Sequence, residues 1–194
     1  MTLRDYWILA NKRPTNEHIE TDTEWFHHID GATLYLSFQG SISRLDWIQN
    51  IQGSKVPYRD MPRKFKVHKG FLKKWRAIRE EVDSLVTDQI AEVIIAGFSQ
   101  GGALAQLAHE DILFNHGIRA TTVAFGSPRV FSWGIPKERL KGVVRVQYGG
   151  DMVTGLAPWI MGYKHGGQLS TLGKWPWWLR IRPDHHLKLY GYTW

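Results

Sequence analysis

The stretch Ile94-Ile-Ala-Gly-Phe-Ser-Gln-Gly-Gly-Ala-Leu-Ala-Gln-Leu-Ala108 decides the fold. An apolar run enters Gly97-Phe98-Ser99-Gln100-Gly101, and an alanine-rich segment leaves it. The run Glu92–Ala96 reads as a buried strand, and Ala103 to about Asn115 as a helix stopped by Gly117. A serine flanked two residues away by glycines, between a strand and a helix, is the pattern of a nucleophile elbow. The glycines are needed because side chains at those positions would collide with the flanking strand and helix. The helix that follows points free N–H groups and its positive dipole end at the turn. Gly102 supplies a further small residue where the helix passes the sheet.

Outward from this turn, strand and helix signals alternate. Glu24–Ile29 and Ala32–Phe38 read as strands of a hairpin around Asp30-Gly31. Apolar residues at 71, 72, 75, 78, 82, 85, 86 and 90 have helical spacing. Thr121–Phe125 and Val143–Tyr148 are β-branched and aromatic-rich, as strands are. Residues 3–11 suggest a short helix. Residues 39–69 read as irregular around a short amphipathic piece near Leu45–Ile51, and Gly155–Trp194 reads as loop-rich. The alternation predicts an α/β layered domain with a central mixed, mostly parallel sheet. The 194 residues suit one domain, residues 1–194.

Composition narrows the chemistry. There is no cysteine, so disulfides, zinc–thiolate sites and cysteine nucleophiles are excluded. The N-terminal MTLRDYWILANKRP lacks a basic n-region, so no signal peptide is expected. No apolar stretch reaches the length of a membrane span. The expected location is cytoplasmic, or outside the cell after lysis or a non-classical route. The net charge is +7. Lys55, Arg59, Arg63, Lys64, Lys66, Lys69, Lys73, Lys74 and Arg76 face one acid, Asp60, in the same segment. Such a run is either a solvated face or a patch for anionic partners.

A serine hydroxyl needs a base to take its proton and an acid to orient that base. In hydrolases with this elbow the order is Ser, acid, His. Downstream of Ser99, Asp151 follows a predicted strand, where sites gather in open α/β sheets. It also suits a plain turn after Gly149-Gly150. Near the C-terminus stand Asp184, His185 and His186, and composition does not choose between the two histidines. No metal is expected, because His109-Glu110 lacks the second histidine of a zincin helix and His27-His28 alternate faces of a strand.

Six stretches, in order, give the chain its resemblance to the class 3, or fungal-type, lipases of the α/β-hydrolase fold. They are LSFQGSISRLDWI (36–48), VHKGF (67–71), GFSQGGALAQLA (97–108), AFGSPRVF (124–131), RVQYGGDMVTGLAP with YKHGG (145–167), and DHHLKLYGY (184–192). The resemblance implies a serine ester hydrolase acting on acylglycerols or related lipids without a cofactor. It implies Ser99 as nucleophile, Asp151 as acid and His186 as base, the last from its interval to Tyr190-Gly191. It implies an oxyanion hole from the backbone N–H groups of Ser41 and Gln100, with the Ser41 hydroxyl as a further donor. The chain departs from the pattern at Phe98, Gln100, Gln39 and Thr154. Phe98 and Gln100 are expected to alter the pocket floor.

Substrate expectations follow from the same resemblance. Ile42–Ile51 lies where the family keeps a lid, and KWPWWLRIRP (174–183) sets tryptophans among cations. With the basic run, these suggest a rim that touches an anionic lipid or membrane surface. The elbow does not separate lipase from phospholipase A chemistry. A catalytically silent lipid-binding module is the alternative from another class. A nucleic-acid partner is not expected, since no binding motif accompanies the basic run.

Overall fold

A computed structural model describes residues 1–40, 54–58, 65–173 and 190. In chain order the elements are α1 (Leu3–Ala10), β1 (Asn16–His18), β2 (Thr23–Asp30), β3 (Thr33–Phe38), β4 (Lys55–Pro57), β5 (Lys66–His68), α2 (Lys69–Leu85), β6 (Glu92–Phe98), α3 (Gln100–His116), β7 (Arg119–Phe125), β8 (Phe131–Ser132), β9 (Val143–Tyr148), β10 (Tyr163–Lys164) and β11 (Gln168–Leu172). Short 3₁₀ turns occupy Ile19–Thr21, Lys137–Leu140, Met152–Gly155 and Trp159–Met161.

Among the described residues the main sheet runs β1-β2-β3-β6-β7-β9-β11. The β1–β2 and β2–β3 pairs are antiparallel, and every pair from β3 to β11 is parallel. This is the mixed, mostly parallel sheet that the alternation predicts. A second, small antiparallel sheet has the order β10-β8-β5-β4.

The period of two along β6 explains the layers. Val93 and Ile95 join the core shared with α2 and α3, while Ile94, Ala96 and Phe98 face α1. Helices therefore cover both faces. In α2 the buried residues are Phe71, Leu72, Trp75, Ile78 and Val82, one stripe of the helix. His68 caps α2, its Nδ1 accepting from the Gly70 N–H at 3.2 Å. The start of α3 is buried on every side, which its glycines and alanines permit.

Several boundaries differ from expectation. The α2 helix ends at Leu85, not near Ile90. Ser84 turns its hydroxyl back to the Glu81 carbonyl at 2.6 Å, and the β-branched pair Val86-Thr87 favours leaving the helix. Val86 and Ile90 keep their place in the core from the connecting turn. The β2–β3 hairpin turns on Gly31-Ala32, with Asp30 opposite Thr33 and Gly31 at φ 56°. Residues 39–69 are not wholly irregular, since β4 and β5 lie there, and β10 and β11 lie in the segment read as loop-rich. The amphipathic piece Leu45–Ile51 and the tryptophan segment 174–183 lie outside the described residues. Among the described residues no helix is long and apolar enough to cross a membrane.

Candidate active site

Ser99 stands between the last residue of β6 and the first of α3, at φ 58° and ψ −121°. That is a left-handed conformation for a residue with a Cβ, and such positions carry about 1–3 kcal/mol of strain. A serine at a helix N-cap normally has extended backbone and bonds its hydroxyl to its own helix. Ser99 makes no such capping bond. The tight turn keeps Oγ from being consumed by the helix it precedes.

The neighbouring glycines hold the turn. A Cβ on Gly97 would overlap the Gly101 carbonyl, and one on Gly101 would overlap the Phe38 carbonyl. A Cβ on Gly102 would stand 2.9 Å from the Ser127 Cβ. The first turn of α3 is thus pressed between the ends of β3, β6 and β7. The Ser99 N–H donates to the Phe125 carbonyl at 2.9 Å. A Cβ on Gly40 would stand 3.4 Å from the Ser99 Cβ, so the chain leaving β3 passes beside the serine. Gln100, the other expected oxyanion donor, is the first residue of α3, where backbone N–H groups have no partner within the helix. Ser41, the residue after Gly40, lies outside the described residues.

Asp151 is buried just beyond β9. It caps the turn Met152–Gly155, with Oδ1 accepting from the Val153 N–H at 2.9 Å. Its Oδ2 accepts from the Tyr190 hydroxyl, which in turn accepts from the Tyr148 N–H at 3.0 Å. Burial first, then the Asp151 charge and hydrogen bond, push the Tyr190 phenol far above its usual range. It stays a donor at any working pH. Because β6 and β9 are separated by β7 alone, Ser99 and Asp151 end strands two positions apart, roughly 10 Å at normal spacing. An imidazole fits such a gap. His185 and His186, with Asp184, lie outside the described residues.

Two arginines anchor the chain between β9 and β11. Arg129 donates to the Gly155 carbonyl at 2.6 Å, and Arg145 to the Gly166 carbonyl at 2.7 Å. Burial, with help from Arg129, brings Arg145 down to about 10. Burial, with Arg145 and Arg129 nearby, takes His165 down to about 3. His165 is therefore neutral at pH 7. A cavity of about 690 Å³ opens beside Asp151, with Met152, Leu156 and Leu169 among its walls.

The structure places three further residues. The Phe98 ring packs in the core against Trp7 and Tyr190, with centroids at 5.7 and 5.5 Å. Gln39, just past the end of β3, ties that strand to α1 by donating to the Lys12 carbonyl at 2.7 Å and the Ala10 carbonyl at 3.4 Å. Tyr190, which the sequence offered only as a spacing mark, is a direct partner of the Asp151 carboxylate. Its signal was a tyrosine at a fixed interval from the histidines, with nothing to say where its hydroxyl goes. Among the described residues no cluster of His, Asp or Glu is arranged to hold a metal ion.

The class 3 lipase family model matches residues 35–161, which include Ser99 and Asp151 and stop short of the histidine stretch. A secreted mono- and diacylglycerol lipase 1 of Fusarium solani is 30% identical over 141 residues, 68% of this chain and 41% of that protein. A lipase of Rhizomucor miehei is 31% identical over 154 residues, 70% of this chain and 40% of that protein. The crystal structure of a lipase from Rhizopus microsporus var. chinensis superposes with a TM-score of 0.74 at 27% identity, covering 84% of this chain and 61% of the other. The chain thus spans about two fifths of the length of these two curated relatives. With its mostly parallel sheet, helices on both faces and serine elbow, it has the α/β-hydrolase fold and belongs to the class 3 lipase family.

Proposed function

We propose that this chain is a serine ester hydrolase that cleaves carboxylic ester bonds of acylglycerols or related lipids. The observation that carries the reading is Ser99 itself: a serine held at φ 58° at a helix N-terminus, its hydroxyl unused by the helix. In this reading His186 takes the Ser99 proton as Oγ attacks the ester carbonyl carbon. Asp151 orients the ring and stabilises the imidazolium that forms. The carbonyl oxygen becomes an oxyanion held by the N–H groups of Gln100 and Ser41. Removing one such donor typically costs about 3 kcal/mol of barrier. Collapse of the tetrahedral intermediate expels the alcohol, which takes the proton from His186. Water then repeats the sequence on the acyl-enzyme and releases the fatty acid. The names of the matching relatives support acylglycerols as the substrate class.

The test is turnover of p-nitrophenyl esters over a series of acyl lengths. Wild type is expected to release p-nitrophenol, and Ser99→Ala and His186→Ala to stop it. If His185→Ala abolishes release while His186→Ala spares it, the base is misassigned. If wild type does no better than Ser99→Ala, the ester hydrolase reading is wrong and a silent lipid-binding module takes its place.

A further inference from the structure

The turn Trp159–Met161 buries none of its side chains. Trp159 is 61% exposed, Ile160 86% and Met161 46%. Trp133, 52% exposed, lies against Trp159 with ring centroids 5.2 Å apart. Other exposed apolar residues, such as Ile8, Ile19 and Phe114, stand on separate elements. A tryptophan pair joined to two further exposed apolar residues of the same short turn is not the ordinary scatter of a soluble protein.

The backbone beneath them is tied down. Met161 N–H donates to the Pro158 carbonyl at 2.9 Å, and Gly162 N–H to the Trp159 carbonyl at 2.8 Å. Gly162 closes the turn at φ 75°. Lys55 donates to the Met161 carbonyl at 2.5 Å and lies over the Tyr163 ring. The outward placing of these side chains is thus built into the turn.

The patch also sits at the catalytic end of the sheet. Since β3 and β6 are parallel neighbours, α2 must run back from the end of β3 to the start of β6. The N-terminus of α2 therefore lies at the end of the sheet where Ser99 stands. Lys55 pairs with His68, the cap of α2, and reaches Met161. Indole rings and aliphatic chains above a lysine are the groups that settle at a lipid–water boundary.

We propose that Trp133, Trp159, Ile160 and Met161 form a docking surface for the face of aggregated lipid, setting the catalytic end of the sheet toward it. The proposal deepens the ester hydrolase reading and rests on it for the choice of lipid as partner. The probe is vesicles of phosphatidylcholine and phosphatidylglycerol in equal parts, with bound protein read by sedimentation. Turnover of a soluble short-chain p-nitrophenyl ester is measured in parallel. The triple variant Trp133→Ser, Trp159→Ser, Ile160→Ser is expected to lose about tenfold or more in vesicle partition while keeping soluble turnover within about twofold. Ile160→Glu, a change at a nearly fully exposed site, is expected to act in the same direction if the triple variant folds poorly. Unchanged partition in both overturns the proposal. So does an equal loss of soluble turnover in Ile160→Glu, which would make the patch structural. A dimer in solution that Ile160→Glu dissociates would assign the surface to a second copy and also overturn it. Because partition is read without turnover, an inactive wild type that still binds vesicles through this patch would defeat the hydrolase reading alone.

Discussion

The Tyr190 hydroxyl donates to Asp151 while its ring packs 5.5 Å from that of Phe98, the residue before Ser99. One side chain from the C-terminal region therefore holds Asp151 in place and braces β6, the strand that leads to Ser99. Tyr190→Phe removes one donor from a buried carboxylate and leaves the Tyr148 N–H without its acceptor. The loss is expected to be about 1–3 kcal/mol of stability. In kinetics, kcat should fall by about tenfold with little change in KM. Urea unfolding and steady-state ester hydrolysis check the two effects.

Strain at Ser99 sets stability against function. Glycine tolerates a positive φ that alanine does not. Ser99→Gly and Ser99→Ala should both be inactive, but the glycine variant should be the more stable by about 1 kcal/mol. Equal urea midpoints for the two would show that the elbow is unstrained.

Space at the elbow is tighter than strain alone implies. In Gly101→Ala the new methyl would meet the Phe38 backbone, which cannot rotate away. The expected result is a loss of about 3 kcal/mol or more, with loss of turnover, because β3 and the Ser99 turn must part. Gly31→Ala, by contrast, meets no atom and carries only the cost of its positive φ. Thermal melts of the two variants separate steric from conformational causes.

Two histidines, His109 buried and His165 half-buried, set an acid limit. Burial lowers His109 to about 4, and burial with the neighbouring arginines lowers His165 to about 3. Both lie below the unfolded value of about 6.5, so the unfolded chain binds more protons in between. Their contribution is full above pH 6.5 and is lost as pH falls towards 4 and then 3. For His109 alone this amounts to about 3 kcal/mol. Unfolding free energy should fall over that range. His109→Gln, which keeps an amide near Thr122, should flatten the slope. An unchanged slope would place the acid sensitivity elsewhere.

Much of this site was legible because its signals are local. Gly97, Ser99 and Gly101 mark the elbow at fixed spacing, and the apolar run before them marks the strand. The stretch Val143–Tyr148 was readable from its β-branched residues and is β9. Short strands were not readable. β8 and β10 have two residues each, too few for any period to show, and they exist because Phe131 and Tyr163 find partners across a gap in sequence. The β11 strand is strand because β9 offers it an edge.

The sequence by itself determined the turn that presents Ser99, because glycine spacing and strand-to-helix periodicity act within a few residues. It also offered Asp151 as a candidate acid beyond a strand end. Only the tertiary structure decided that Tyr190 holds that acid, that Phe98 belongs to the core, and that Gln39 ties β3 to α1. It alone turned Trp159 and Ile160 to solvent beside Trp133. These are contacts between residues far apart in the chain, and packing, not local propensity, chooses which hydroxyl, ring or amide meets which partner.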